Sequence, residues 1–202
     1  MEIISIHPYK PHICQGATKL IIGTIPPCRF CTNGIEKLHN KDVDFYYGSD
    51  KNCFWCLMSK ITNQELQREN SKEEIEKRKA LLDSLKVGIM DVVKTCIHKN
   101  KHSSDKSLNI LELNSELIKE KLLEFPSINT LIYTSRFVIS QMINKSISDK
   151  GYHNWISKDK MDGIIDINGK KYQVRILYSP SPSASRRVSK QKRLERYKAV
   201  FK

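Results

Sequence analysis

The chain has 202 residues, with 35 Lys and Arg against 22 Asp and Glu, a formal charge of +13; such an excess points to a polyanionic partner, because each Lys or Arg set on a phosphate releases counterions. Hydrophobic residues at 39% and charged residues at 28% exclude intrinsic disorder and a membrane-embedded chain, and the length fits one domain over residues 1–202. Residues 1–10 hold no apolar run of signal-peptide length and no stretch approaches a membrane span, so a cytoplasmic or nucleoid-associated monomer with no membrane contact is expected.

Lys19-Leu-Ile-Ile-Gly-Thr24 is an apolar run ending at a glycine, with Pro26-Pro27 behind it, which predicts a buried strand breaking into a loop. Residues 25–51 carry prolines, glycines and mixed charge without a period and predict a long surface loop, a feature that usually has a function. A helix is predicted over 52–61, with Phe54, Leu57, Met58 and Ile61 on one side, and a charged helical stretch over 64–85, in which Ser71 and Glu74 have capping-box spacing. Val87-Gly-Ile-Met-Asp-Val-Val93 is a second apolar run, followed by a Lys- and His-rich loop through Ser107 and an amphipathic helix over 115–125. Thr130-Leu-Ile-Tyr-Thr134 predicts another buried strand, leading to a helix over 135–144. Asn168-Gly169 joins strands 163–168 and 171–178 in a two-residue hairpin. Ser179-Pro-Ser-Pro-Ser-Ala-Ser185 is a stiff small-residue loop, and 186–202 reads as a terminal helix with eight basic residues and one acid. Alternation of this kind predicts an α/β fold, a three-layer α/β/α sandwich around a mainly parallel sheet.

Four segments, in this order, resemble the uracil-DNA glycosylase superfamily, closest to its mismatch-specific and hypoxanthine-DNA glycosylase branches. Gly23-Thr-Ile-Pro-Pro27 is similar to the first active-site motif, and Tyr46-Tyr-Gly-Ser-Asp-Lys-Asn-Cys-Phe-Trp55 to its continuation. Gly88–Val93 is similar to the following strand, and Leu177–Arg187 to the serine- and proline-rich loop that enters DNA. The resemblance covers nearly the whole chain and implies a monofunctional DNA glycosylase that flips a damaged or modified base out of DNA and hydrolyses its N-glycosidic bond, in repair or in defence against foreign DNA, with no cofactor.

The resemblance implies roles residue by residue. Gly23, Thr24, Ile25 and Pro26 would border the base, with Ile25 at a place where some branches keep a polar residue to orient water. Asn52 would then hold the hydrolytic water, while its structural alternative is to cap the helix that follows. Tyr47 would stack on the flipped base, and Tyr46, Phe54 and Trp55 would pack. Ser179, Ser181, Pro182, Ser183 and Ser185 would enter the minor groove while Arg186 and Arg187 hold the backbone. Asp91 is a second catalytic candidate or a hydrogen-bond anchor, and His98 and His102 read as part of a solvated basic loop. Cys28-x-x-Cys31 and Cys53-x-x-Cys56 also have the pairwise spacing of a zinc or iron-sulfur ligand set, although Cys53 and Cys56 fall inside the active-site motif and no metal is assigned. The alternative function is a catalytically silent DNA-binding member of the fold, held together by zinc.

Overall fold

An apolar run such as Leu20-Ile-Ile22 has no polar face to give to water and can only lie between layers. The computed structural model describes residues 3–34, 36–98, 108–135, 138, 161–182 and 188–202. In chain order its elements are strands Ile3–Ile6 (β1) and Lys19–Gly23 (β2), helices Phe54–Thr62 (α1) and Lys72–Ser84 (α2), strands Val87–Asp91 (β3), Val93–His98 (β4) and Leu108–Leu113 (β5), helix Ser115–Glu124 (α3), strands Thr130–Tyr133 (β6), Asp162–Ile167 (β7) and Lys170–Ile176 (β8), and helix Lys190–Phe201 (α4).

The α/β expectation holds. One sheet has the order β3-β2-β6-β8-β7, its first four strands parallel and β7 antiparallel at the edge. Because side chains alternate across a strand, Ile21, Ile89 and Ile132 face a cluster built from α1, α2 and α4. Leu20, Ile22, Met90, Leu131 and Tyr133 face a second cluster with Ile118 and Leu122 of α3. The Asn-Gly hairpin is also present: Asn168 and Gly169 have φ of 52° and 78°, both positive as a type I′ turn requires.

A second sheet, antiparallel with order β1-β4-β5, departs from the sequence reading. The run 87–93 is two strands broken at Val92, and His98, read as part of a solvated loop, ends β4 with only 5% of its surface exposed. Strands that show one face to water alternate instead of running apolar, and here the alternation is set among lysines. His102 and most of the predicted helix 135–144 lie outside the described residues.

Helix boundaries follow their caps. Helix α1 stops at Asn63, whose φ of 55° is left-handed, a common helix stop. Helix α2 starts at Lys72, because Ser71 Oγ accepts the Glu74 amide at 3.3 Å. The Glu74 carboxylate does not complete a capping box; it accepts from the Gln67 amide at 2.8 Å, Lys77 at 2.7 Å and buried Arg78 at 2.6 Å. Arg78 also donates to Gln67 O at 2.7 Å and lies 5.5 Å from the Trp55 ring, so segment 64–71 is pinned across α2 instead of joining it.

Removing one partner of a buried ion pair leaves the other charge uncompensated, so Glu74→Ala is expected to cost about 3–5 kcal/mol, read from urea unfolding. Burial pushes the Glu74 carboxyl up, but hydrogen bonds from Lys77 and Arg78 more than offset this and hold it below the usual range. A carboxyl depressed in the folded state stabilises above its unfolded value, roughly pH 4.3. That contribution is lost as pH falls further, and Glu74→Ala should flatten the acid limb of the stability profile.

Candidate active site

Parallel strands deliver their carboxyl ends to one edge, where α/β proteins build their sites. Here Gly23, Asp91, Tyr133 and Ile176 end β2, β3, β6 and β8 at that edge. Gly23 is needed for close approach: a Cβ there would stand 2.2 Å from Asp91 Oδ1 and 2.3 Å from the Tyr47 hydroxyl. The carbonyls of Gly23 and Thr24 accept from Val92 and Val93 at 2.9 and 3.0 Å, which carries the pairing past the strand end and buries Thr24. Pro26 is buried and Ile25 packs against the α3-side core; Pro26 and Pro27 have no N–H, so the Gly23–Pro27 segment can offer backbone donors only up to Ile25.

Asp91 is buried and its Oδ2 lies 2.9 Å from His7 Nε2, with both side chains under a tenth exposed. The His7 ring lies against Tyr46 and edge-on to Tyr9, and burial pushes both phenols well above their ordinary range, with Asp91 adding to the effect. His7 has no motif around it, and nothing in the sequence singled it out.

The long loop is ordered by one buried carboxylate. Asp42, fully buried, accepts Arg29 Nε and Nη2 at 2.7 and 2.9 Å and the backbone amides of His39 and Asp50 at 2.7 and 2.8 Å. Arg29 also reaches Ser49 Oγ at 2.9 Å and Asp50 at 3.3 Å. Val43 N donates to Gly48 O at 2.8 Å and Trp55 Nε1 to Tyr46 O at 2.7 Å. A Cβ at Gly48 would sit 1.8 Å from Val43 O, so only glycine fits there.

This framework holds Tyr47 at φ 57°, a left-handed conformation that costs a bulky residue roughly 1–2 kcal/mol. Phe54 stacks on its ring at 4.5 Å and 23°, and its hydroxyl lies 3.0 Å from Thr134 Oγ1. Tyr47 and Asn52 share the wall of a cavity of about 140 Å³ with Ser49, Trp55, Arg68 and Arg78. Gly23, Thr24, Ile25, Pro26 and Asp91 do not line it; Tyr47 is the link between the cavity and the sheet edge.

Cys53 is the N-cap of α1, and Asn52 stands one residue before it, its Oδ1 accepting the Phe54 amide at 2.9 Å. Because an N–H can only meet the oxygen, this bond fixes the orientation of the amide and leaves one lone pair of Oδ1 and the NH₂ group without a partner among the described residues. The Ser-Pro loop docks beside it, with Pro180 O accepting Cys53 N at 3.0 Å, while Ser179 Oγ lies 3.2 Å from Ser181 Oγ. Ser183, Ser185, Arg186 and Arg187 lie outside the described residues.

Helix α4 turns two of its cations inward. Arg193 is 3% exposed, with Nη1 at 3.1 Å from Cys53 Sγ and no partner for Nε or Nη2 among the described residues. Arg196 donates to Ile176 O, Met161 O and Asp162 at 2.6–3.1 Å. Lys190, Lys192, Lys198 and Lys202 remain exposed. The cysteine pairs are held apart in their interactions: Cys53 meets Arg193 and Pro180, Cys56 is exposed, and Cys31 lies within electrostatic reach of Cys28 and Cys96.

No family model and no curated protein matches this sequence. Among solved structures, the chain is similar to the solution NMR structure of a "putative Uracil DNA glycosylase" from Methanosarcina acetivorans, with a TM-score of 0.62 and 20% identity over 98% of this chain and 97% of that one. The two share one fold. The likeness runs almost end to end, so the second sheet and the long loop both fall inside the shared length. Of the residues singled out in the sequence, the fold gathers Gly23, Thr24 and Asp91 at the sheet edge with the Tyr47 hydroxyl, and Asn52 with Ser179 and Ser181 at the start of α1.

Arg29→Met should strip Asp42 of its counterion. In the intact protein burial pushes the Asp42 carboxyl up, but Arg29 and the two backbone amides outweigh it and hold it below the ordinary range. Its stabilisation is therefore present above about pH 3.9 and lost as pH falls. In Arg29→Met, acid unfolding followed by circular dichroism is expected to begin at higher pH than in the intact protein, and neutral-pH stability to fall by about 3–5 kcal/mol.

Proposed function

We propose that the protein is a monofunctional DNA glycosylase that draws a damaged or modified base out of DNA, stacks it on Tyr47, and hydrolyses its N-glycosidic bond with a water held by Asn52, leaving an abasic site. We read its layers as an α/β/α sandwich, with α1, α2 and α4 on one face and α3 on the other. The observation that carries the reading is Tyr47: an aromatic ring kept in a strained backbone conformation, braced by Phe54 and Thr134, in one cavity wall with Asn52. Strain of this kind persists only where surrounding structure enforces it, and it concentrates at functional sites.

Asn52 Oδ1 gives one lone pair to the Phe54 amide and has a second for water. A side-chain amide is too weak a base to remove a proton early, so the bond to the base breaks first and the water adds to an oxocarbenium-like sugar. The departing anion is met by fixed donors, for which the Thr24 and Ile25 amides are the candidates in the Gly23–Pro27 segment. Asp91, bound to His7, is a positioning residue that holds the end of β3 against Gly23. With no lysine assigned as a Schiff-base nucleophile, the backbone is left intact. One observation favours a silent DNA-binding protein instead: the Asn52 side-chain oxygen already accepts the first amide of α1.

Oligonucleotides carrying uracil, hypoxanthine or xanthine, incubated with the protein and then with hot alkali, decide between the two. Breaks are expected with at least one of these bases, slowed on the order of 10²-fold in Asn52→Ala, the scale of one lost transition-state contact. No breaks with any base, or breaks unchanged in Asn52→Ala, would refute the enzymatic reading. DNA affinity should fall steeply with salt, and Lys190→Ala, Arg186→Ala and Arg187→Ala should each lower the slope by about 1. Inward-facing Arg196 should contribute nothing to that slope.

A further inference from the structure

Segment 64–71 lies between α1 and α2 with no helix or strand of its own and is mostly exposed, yet it is fastened at three points. Ser59 Oγ donates to Gln64 O at 2.6 Å, and Asn70 Oδ1 accepts the Asp44 amide at 3.2 Å. Between them the buried Glu74–Arg78 pair holds both backbone groups of Gln67, Glu74 taking its amide and Arg78 donating to its carbonyl. Fixing polar chain in this way costs conformational entropy and buries little apolar surface in return. What it achieves is placement: Leu66 and Arg68 are set in the wall of the cavity that also holds Tyr47 and Asn52.

That wall is one-sided in charge. Arg68 and Arg78 line it, and no Asp or Glu does. Burial pushes the Arg78 guanidinium down and repulsion from Arg68 adds to the effect, against the Glu74 carboxylate. The two cations therefore sense each other, but only Arg78 has its counterion. Arg68 is exposed, and its one contact is long, Nη2 to the Asn52 carbonyl at 3.4 Å. Neither Glu65 nor Glu69 pairs with it among the described residues; Glu65 accepts from Gln67 Nε2 at 2.6 Å instead. A guanidinium carries five N–H donors in a planar fork, so Arg68 holds most of its fork unused at the rim of the cavity, beside Asn52.

We propose that Arg68 clamps a DNA backbone phosphate next to the extruded nucleotide, at the mouth of the Tyr47–Asn52 cavity. A nucleotide that enters a cavity base first leaves its phosphates at the rim, which is where the exposed guanidinium stands. Phosphate oxygens accept two parallel N–H bonds from such a fork, and an anion there also offsets the repulsion between Arg68 and Arg78. The inference rests on the reading that this cavity admits the extruded base, and adds the contact that holds the strand while the base is inside. Arg68 touches no reacting atom; its role is binding.

The test is binding of the full chain to a duplex with one tetrahydrofuran abasic analogue, which has no base to lose, followed by fluorescence anisotropy over a salt series. Arg68→Ala is expected to bind about ten-fold more weakly, the scale of one charged hydrogen-bonded contact, and to lower the salt slope by about 1. Arg68→Lys should restore the slope but only part of the affinity, since a point charge lacks the fork. Each phosphate flanking the analogue is then replaced singly by a neutral methylphosphonate. At one of the two, the change should weaken the intact protein about ten-fold and leave Arg68→Ala nearly unaffected. Unchanged affinity and slope in Arg68→Ala, or equal methylphosphonate penalties in both proteins at both phosphates, would overturn the proposal. Because nothing is cleaved in this assay, a protein that excises no base yet shows the expected pattern fails the glycosylase reading alone. One that excises bases while Arg68→Ala binds undiminished fails only the present inference.

Discussion

The buried carboxylate of Asp42 is the constraint on which the candidate site depends. Ordering each residue of a loop costs about 1–2 kcal/mol of backbone entropy, and a loop the length of 28–53 has no ladder of its own to offset it. Asp42 answers this by collecting donors from three separated points, Arg29, His39 and Asp50. A carboxylate with both oxygens saturated by four hydrogen bonds has no reason to ionise differently or to turn, so the chain between its donors is closed into a fixed ring. The same arrangement places Gly48 against Val43 and lets Trp55 take the Tyr46 carbonyl. Only in such a frame can Tyr47 keep a left-handed backbone.

Charge serves two purposes in this molecule. Part of the excess of +13 is available to a polyanion, as with the exposed lysines of α4, but part is structural. Arg29 orders the long loop, Arg78 clamps segment 64–71 on α2, and Arg196 ties α4 to the ends of β7 and β8. Sequence counts cannot separate the two uses, because a buried guanidinium and an exposed one read alike. The difference lies in whether acceptors converge on it: carbonyls and carboxylates do so at Arg78 and Arg196, and among the described residues only a sulfur does so at Arg193.

The central sheet was legible because its strands are short apolar runs bounded by glycine, proline or an Asn-Gly turn, signals that lie within a few residues of one another. The loop that carries Tyr47 and Asn52 was legible through motif order alone, and its mechanism of ordering was not, since Arg29, Asp42 and Asp50 look like ordinary surface charge. The second sheet was missed for the opposite reason: β4 and β5 alternate within a Lys- and His-rich stretch, and the pairing of β4 with β1 spans about 90 residues. That long-range pairing buries His98 and draws Cys96 towards Cys28, while local spacing drew attention to Cys53 and Cys56. His7, the partner of Asp91, stands in the same strand-end region and was invisible for the same reason.

The double duty of Asn52 has a chemical consequence. An amide oxygen that already accepts a backbone N–H is less able to accept charge from water, but it is held in one orientation by a bond that only oxygen can make. On the reading proposed above, such a group can contribute placement and little basicity. The reaction must then draw its driving force from the leaving base, whose departure depends on how well the developing anion is met by fixed donors. Prolines at 26 and 27 remove two possible donors from the Gly23–Pro27 segment and stiffen the remainder. Selectivity would accordingly rest on few polar contacts and on the shape set by Tyr47, so the range of bases accepted should follow ring size and leaving-group quality more than the pattern of exocyclic groups.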